Sequence, residues 1–132
     1  MRRTAPALQP VSVGEIVGVK LAGRARWTIG MVRWITVLDE GGLEFGVQFI
    51  ASAARPASIR PTITSSEIDP KAALILNEAL PWNGGESLLV ASNTFADLRE
   101  FEVEDAEQLF CVRATNLYEK TNRYEVFEFK PS

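Results

Sequence analysis

Apolar and polar positions alternate along most of this chain with the two-residue period of β-strands. The clearest stretch is residues 43–50, where four apolar side chains fall on one face and small or polar ones on the other. Two runs rich in β-branched residues precede it, at 13–21 and 27–37, and residues 39–42 read Asp-Glu-Gly-Gly, a strong hairpin signal. The pattern predicts a three-strand antiparallel meander. The four apolar residues are Leu43, Phe45, Val47 and Phe49.

Short apolar runs separated by turn residues continue through the second half of the chain. No stretch has the period of an amphipathic helix over ten residues or more. A single helical turn is predicted at 51–55 and a short strand at 57–60, and the run at 71–76 favours a strand, with a helix as the alternative. We therefore predict an all-β fold, a small antiparallel barrel, a pair of barrels or a sandwich, with at most short helices. The remaining predicted strands are 86–91, 98–105, 108–118 and 123–130.

Turn-forming residues suggest how the chain is organised. Residues 1–10 contain two prolines and show no periodicity, so they are predicted to be a flexible tail. Residues 11–60 hold the predicted meander. Residues 62–70 are polar and turn-prone, and residues 61–132 are predicted to form a second β unit that packs on the first or completes it.

The content of histidine and cysteine limits the available chemistry. Of 132 residues none is histidine and one, Cys111, is cysteine, so histidine-based triads, an internal disulfide and a zinc site are excluded. Cys111 lies in an apolar run and is predicted to be a small buried hydrophobe. We expect no enzymatic activity, no catalytic residues, no metal and no cofactor. No apolar run is long enough to enter a membrane, and one cysteine fits a reducing cytoplasm.

Charge is divided unevenly along the chain. Residues 1–60 carry a net charge of +4 and residues 61–132 carry −7, for a total of −3. The first half could present a surface for anions, or the two halves could simply attract each other. The acids Glu100, Glu102 and Glu104 would line one face of a strand, which indicates a solvated face or, as the alternative, a cation site.

Four residues are candidates for ligand binding. An exposed tryptophan beside arginines suits stacking on a base and pairing with a phosphate. The alternative is that Trp27 and Trp34 both lie in the core. Strict alternation along 27–37 would put Arg33 and Ile35 on the face opposite Trp34. The candidates are Arg24, Arg26, Arg33 and Trp34.

Three segments together resemble a known family. They are residues 14–21 (GEIVGVKL), 27–34 (WTIGMVRW) and 43–49 (LEFGVQF). Their order is similar to the C-terminal half of a PilZ domain, the bacterial β-barrel that binds cyclic-di-GMP. The region from residue 71 onward resembles the segment that follows in larger proteobacterial proteins. The nucleotide-binding motifs of that family, R-x-x-x-R and D/N-x-S-x-x-G, are absent from this sequence, so no site residues carry over from the family.

The resemblance implies a non-catalytic regulatory module of bacterial signalling. Such a module would bind a protein partner or the remainder of a longer chain, with a cyclic dinucleotide as a candidate ligand and a homodimer as a candidate assembly. The alternative is a nucleotide-binding or nucleic-acid-binding barrel that uses Arg24, Arg26, Arg33 and Trp34. The two can be separated by salt, because binding to phosphates weakens steeply as salt rises.

Overall fold

The structure, a computed structural model, describes residues 2–6, 12–20, 23, 27–62 and 69–132. Over these residues the backbone forms ten β-strands and one short 3₁₀ helix, so the all-β prediction is confirmed. No helix there is long and apolar enough to cross a membrane. The strands are β1 (Arg2–Pro6), β2 (Ile16–Val19), β3 (Thr28–Val37), β4 (Gly42–Ala51), β5 (Ala54–Pro61), β6 (Lys71–Leu76), β7 (Ser87–Ala91), β8 (Glu100–Glu104), β9 (Leu109–Lys120) and β10 (Tyr124–Pro131); the 3₁₀ helix is Leu80–Trp82.

Backbone contacts divide the chain into two compact units, Met1–Ala53 and Ala54–Ser132. The sequence predicted the division after residue 60. The structure has it earlier because β5 pairs with β6 and β8 of the second unit. Strand β1 lies where the sequence predicted a tail, and it pairs antiparallel with β4.

The first unit is a four-stranded antiparallel sheet in the order β1-β4-β3-β2. The predicted hairpin turn joins β3 to β4: the Leu38 N–H donates to the Gly42 carbonyl at 2.8 Å, and Gly41 has a φ of +86°. A glycine suits that turn because side-chain-bearing residues rarely adopt this φ. One face of the sheet carries an apolar cluster, whose members are Val32, Phe45 and Val47, with Val17, Ile35 and Phe49 packed against them.

A β-bulge at Arg33 interrupts the β3–β4 ladder. Val32 pairs with Val47 and Trp34 with Gly46, so one extra residue of β3 stands against two consecutive residues of β4. The bulge shifts the alternation by one position, and Ile35 therefore packs in the same cluster as Val32. The prediction that Ile35 shares a face with Arg33 is wrong for this reason.

The second unit is a closed antiparallel barrel in the order β10-β7-β6-β5-β8-β9. Alternation along β8 is regular: Phe101 and Val103 are fully buried between the three outward glutamates. The predicted helical turn at 51–55 is wrong, because β4 continues through Ala51 and β5 starts at Ala54. The barrel core consists of Ile59, Ala73, Ile75, Leu88, Val90, Phe101, Val103, Val112, Ala114 and Phe127.

Cys111 lies on the outside of the barrel. Its neighbour Val112 and then Ala114 point into the core, so the cysteine between Phe110 and Val112 faces outward and is exposed. The prediction of a buried cysteine is wrong because the alternation of β9, rather than the apolar character of the run, decides which residues point inward.

The connection between β7 and β8 crosses one end of the barrel, because these strands stand opposite each other in the six-strand ring. It is fixed by Glu125, a fully buried residue of β10. The Glu125 carboxylate accepts backbone N–H bonds from Asn93, Thr94 and Phe95 at 2.8–3.0 Å. The Phe95 ring packs on Phe127 with ring centroids 5.4 Å apart, which joins the connection to the core.

Candidate functional site

The bulge brings two of the four predicted ligand-binding residues to one face of the sheet. Arg33 Nε donates to Gln48 Oε1 at 2.6 Å, and the Trp34 indole lies on Gly46. Gly46 and Gln48 are two residues apart on β4, so they share a face. Arg33 and Trp34 therefore lie side by side, whereas strict alternation placed them on opposite faces.

The Trp34 indole lies flat against the backbone of Gly46. A Cβ atom at Gly46 would overlap three neighbouring atoms of the indole, Nε1, Cε2 and Cδ1. These atoms belong to the five-membered ring, so the ring lies across the glycine. The residue nevertheless remains 42% exposed. Such an arrangement provides an aromatic surface on which a planar group can stack.

Trp27 is also exposed, at 54%. It lies beside Gly18 of β2, and the Lys20 ammonium is 5.8 Å from its ring centroid, within the range of a cation–π contact. The alternative in which Trp27 and Trp34 are both core residues is therefore wrong. The Trp34 contact requires a glycine, because a Cβ at Gly46 would overlap the indole. A Cβ at Gly18 would lie 3.2 Å from Trp27 Cε3, which needs only a small adjustment.

The other two candidates, Arg24 and Arg26, lie outside the described residues, so the structure brings together Arg33 and Trp34 alone of the four. Two residues that the sequence analysis missed complete the arrangement, Gly46 and Gln48. A signal was present in the alternation of 43–50, which puts both on the polar face of β4. Which residues of β3 face Gly46 and Gln48 depends on the bulge, and the periodicity of the sequence does not reveal a bulge.

The predicted acidic strand face in the second unit is paired with arginines. Arg60 Nη2 is 2.8 Å from Glu102 Oε2, and Arg113 Nη2 is 3.6 Å from Glu100 Oε1. Over the part of the chain that the structure describes, no three acidic or cysteine side chains are grouped closely enough to hold a metal ion. The face is best described as partly solvated and partly ion-paired.

A second polar cluster lies on the outside of the barrel between β9 and β10. The Thr115 hydroxyl donates to Glu128 at 2.8 Å and the Tyr118 hydroxyl at 3.1 Å, and these bonds hold the pKa of the Glu128 carboxyl below its usual range. Partial burial and then the nearby Glu128 raise the pKa of Tyr118. The Tyr118 ring stacks on Trp82, with centroids 5.5 Å apart.

The comparison with known proteins concerns the first unit and the first three residues of the second. Residues 3–56 match the family model described as the middle PilZ domain of the cyclic-di-GMP receptor FimW. These residues are PilZ-like. The PilZ resemblance inferred from residues 14–49 is thereby confirmed, and Arg33, Trp34, Gly46 and Gln48 all lie within the PilZ-like segment.

A curated relative is the cyclic-di-GMP receptor FimW of Pseudomonas aeruginosa (strain PAO1), which is 41% identical over 51 residues. The match covers 38% of this chain and 8% of the receptor, so the similarity concerns a small part of that protein. No solved structure matches the chain.

Proposed function

We propose that this chain is a non-catalytic regulatory module of bacterial cyclic-di-GMP signalling. It acts in the cytoplasm by binding a protein partner or the remainder of a longer chain. The observation that carries the proposal is the match of residues 3–56 to the middle PilZ domain of a cyclic-di-GMP receptor. Neither family nucleotide motif occurs in this sequence, so the proposal assigns no nucleotide site by analogy with the family.

The sheet order supports one form of protein contact, a homodimer. Within the described residues β2 pairs with β3 alone, so it stands at the edge of the four-stranded sheet. The outward backbone groups of an edge strand can pair with a strand of another chain. Sedimentation velocity over a range of protein concentrations measures this directly, and a single monomeric species at every concentration would contradict the homodimer.

Isothermal titration with cyclic-di-GMP, at low and at moderate salt, tests the proposal as a whole. We expect no saturable heat from the chain alone, because neither family motif is present. Saturable binding at about one or two nucleotides per chain would contradict a module that acts through protein contacts only. It would support the second candidate function instead.

The second candidate is binding of a nucleotide or nucleic acid by Arg33 and Trp34, together with Arg24 and Arg26. The flat, exposed indole of Trp34 beside the Arg33 guanidinium favours it. A base would stack on the indole while the arginines pair with phosphates. The acidic second half of the chain disfavours a long nucleic acid, so a nucleotide is the preferred ligand.

Tryptophan fluorescence tests whether a nucleotide or nucleic acid binds at Arg33 and Trp34. Titration with cyclic-di-GMP, and separately with a short single-stranded DNA, should quench Trp34, with a response that weakens as salt rises. Trp34→Phe and Arg33→Gln should each weaken binding about tenfold. Trp27→Phe and Arg123→Gln are matched controls with exposed side chains, and equal losses in the controls would exclude the Arg33–Trp34 site.

A further inference from the structure

The second unit has a half-open pocket of about 200 Å³ at the barrel end crossed by the β7–β8 connection. We call it the barrel-end cavity. Its walls are the last residues of β5, the first residue of β6, the start of β8 and the connection itself. None of its residues belongs to the Arg33–Trp34 site, which lies in the other unit.

The apolar lining of the barrel-end cavity is supplied by the core of the barrel. Ile59 and Phe101 line it and also belong to the buried cluster, and Pro61 adds a third apolar side chain. Pro61 pairs with Phe101 across β5 and β8, and Ile59 lies two residues earlier on β5. Ile59 and Phe101 are 3% and 0% exposed, so the apolar side chain that a ligand can reach is that of the half-buried Pro61.

The opposite wall is fixed by hydrogen bonds that do not depend on a ligand. Glu125 holds the backbone of Asn93 and Thr94. The Arg99 guanidinium donates from Nη1 to the Thr94 carbonyl at 3.1 Å, which closes the connection on itself. The Thr94 hydroxyl donates to the Ala91 carbonyl at 2.7 Å. The cavity is therefore preformed, as small-molecule sites usually are.

The charges around the cavity favour an anion. Lys71 and Arg99 are two cations on its wall, and Asp69 is the one acid. Neither cation makes an ion pair with any residue that the structure describes. Among the described residues the Arg99 guanidinium bonds to Thr94 alone, and because a guanidinium has five N–H donors, others can bind a ligand.

We propose that the barrel-end cavity binds a small organic anion with an apolar body. Its phosphate or carboxylate group pairs with Lys71 and Arg99, and its apolar part rests on Pro61. The volume leaves room for one ring, because benzene fits in an enclosed cavity of about 150 Å³. A cyclic dinucleotide is far larger, so this site is independent of the function proposed above.

Phenyl phosphate is a suitable probe because it combines an aromatic ring with one phosphate, and inorganic phosphate and phenol serve as its two halves. Amide chemical shifts of the ¹⁵N-labelled full chain are followed during millimolar titrations. We expect saturable shifts at Lys71, Asn93 and Thr94 with phenyl phosphate, and binding about tenfold weaker with either half alone.

Lys71→Gln should weaken phenyl phosphate binding about tenfold, because it removes a charged donor at the start of a strand without touching the core. Lys130→Gln makes the same change at an exposed position of β10 and should leave binding unchanged. The proposal is overturned if phenyl phosphate produces no saturable shifts, if inorganic phosphate binds equally well, or if the two variants bind alike. If Lys71→Gln does not fold, the proposal is still tested by the chemical shifts of the wild-type chain and by the comparison of phenyl phosphate with inorganic phosphate and phenol.

Discussion

The indole of Trp34 rests on the backbone of Gly46, where a Cβ atom would overlap three atoms of its five-membered ring. The position of a large side chain is thus decided by the smallest residue on the neighbouring strand. Glu125 is a comparable case in the second unit, because one fully buried carboxylate satisfies three backbone donors of a connection that has no strand partner there.

Replacing Gly46 with alanine should displace the Trp34 ring, because the new methyl group would occupy the same space. We expect a shift in the emission of Trp34, measured with Trp27 and Trp82 replaced by phenylalanine, and a loss of about 2 kcal/mol in the free energy of unfolding. Gly85→Ala is the control, since nothing lies within 4 Å of a Cβ built there. An unchanged emission spectrum would show that the ring does not lie on Gly46 in solution.

Glu125→Gln should lower the free energy of unfolding by about 3 kcal/mol, because an amide has one acceptor oxygen and presents N–H donors to the backbone N–H groups. Urea unfolding at neutral pH measures the change. Glu107→Gln, at an exposed position, is the matched control. If both variants lose the same small amount, the three hydrogen bonds to Glu125 do not contribute as inferred.

At the scale of elements, most strand positions and the β3–β4 hairpin could be predicted from periodicity and the Asp-Glu-Gly-Gly turn. Strand β1 could not, because residues 1–10 contain two prolines and show no periodicity. The bulge at Arg33 could not, because an extra residue in a ladder leaves the apolar composition of the strand unchanged. The arrangement of Arg33 with Trp34 depends on that bulge, so the sequence named these residues without placing them together. The start of β5 is not evident from the sequence, because residues 51–55 have helical propensity, which the pairing of β5 with its neighbouring strands overrides.

The Asp105 carboxylate in the β8–β9 turn predicts how the stability of the fold changes at low pH. Asp105 accepts N–H bonds from Glu107 and Gln108, both at 2.9 Å, and these bonds, aided by Arg55, lower the pKa of its carboxyl below the ordinary 3.8. A lowered native pKa stabilises the fold above the unfolded-state pKa, and this contribution is lost as pH falls through the native pKa. Wild type should therefore lose stability on acidification more steeply than Asp105→Asn.

Urea midpoints measured from neutral pH down to about pH 3 give the two profiles. The difference between wild type and Asp105→Asn should be constant at neutral pH and shrink below about pH 4. Asp97→Asn removes an exposed carboxylate from the β7–β8 connection and serves as the control. Parallel profiles for wild type and Asp105→Asn would contradict the assignment.

At the scale of the whole molecule, the two units differ in how they bury apolar surface. The second unit closes its sheet into a ring around its own core, whereas the first is a four-stranded sheet with a smaller apolar cluster. A closed barrel leaves no unpaired sheet edge, and a larger core offsets more of the entropy lost on folding.

We expect residues 54–132, expressed alone, to fold into the same barrel. Cooperative urea unfolding and dispersed amide resonances that overlay those of the full chain would be the supporting result. Residues 1–53 expressed alone should show little cooperative unfolding, because so short an open sheet buries too little apolar surface. A disordered 54–132 fragment would show that the barrel depends on the first unit.

The bulge at Arg33 also bears on which changes in chain length the sheet can accept. Removing one residue from a strand normally turns every following side chain to the other face. Here the extra residue is already outside the regular ladder, so deleting Arg33 would let Trp34 pair with Gly46 in unbroken alternation while Val32 and Ile35 keep their inward positions. Chains that differ by one residue at this point can therefore share the same sheet and the same core, and an alignment gap at position 33 would mark a local straightening of β3 rather than a different fold.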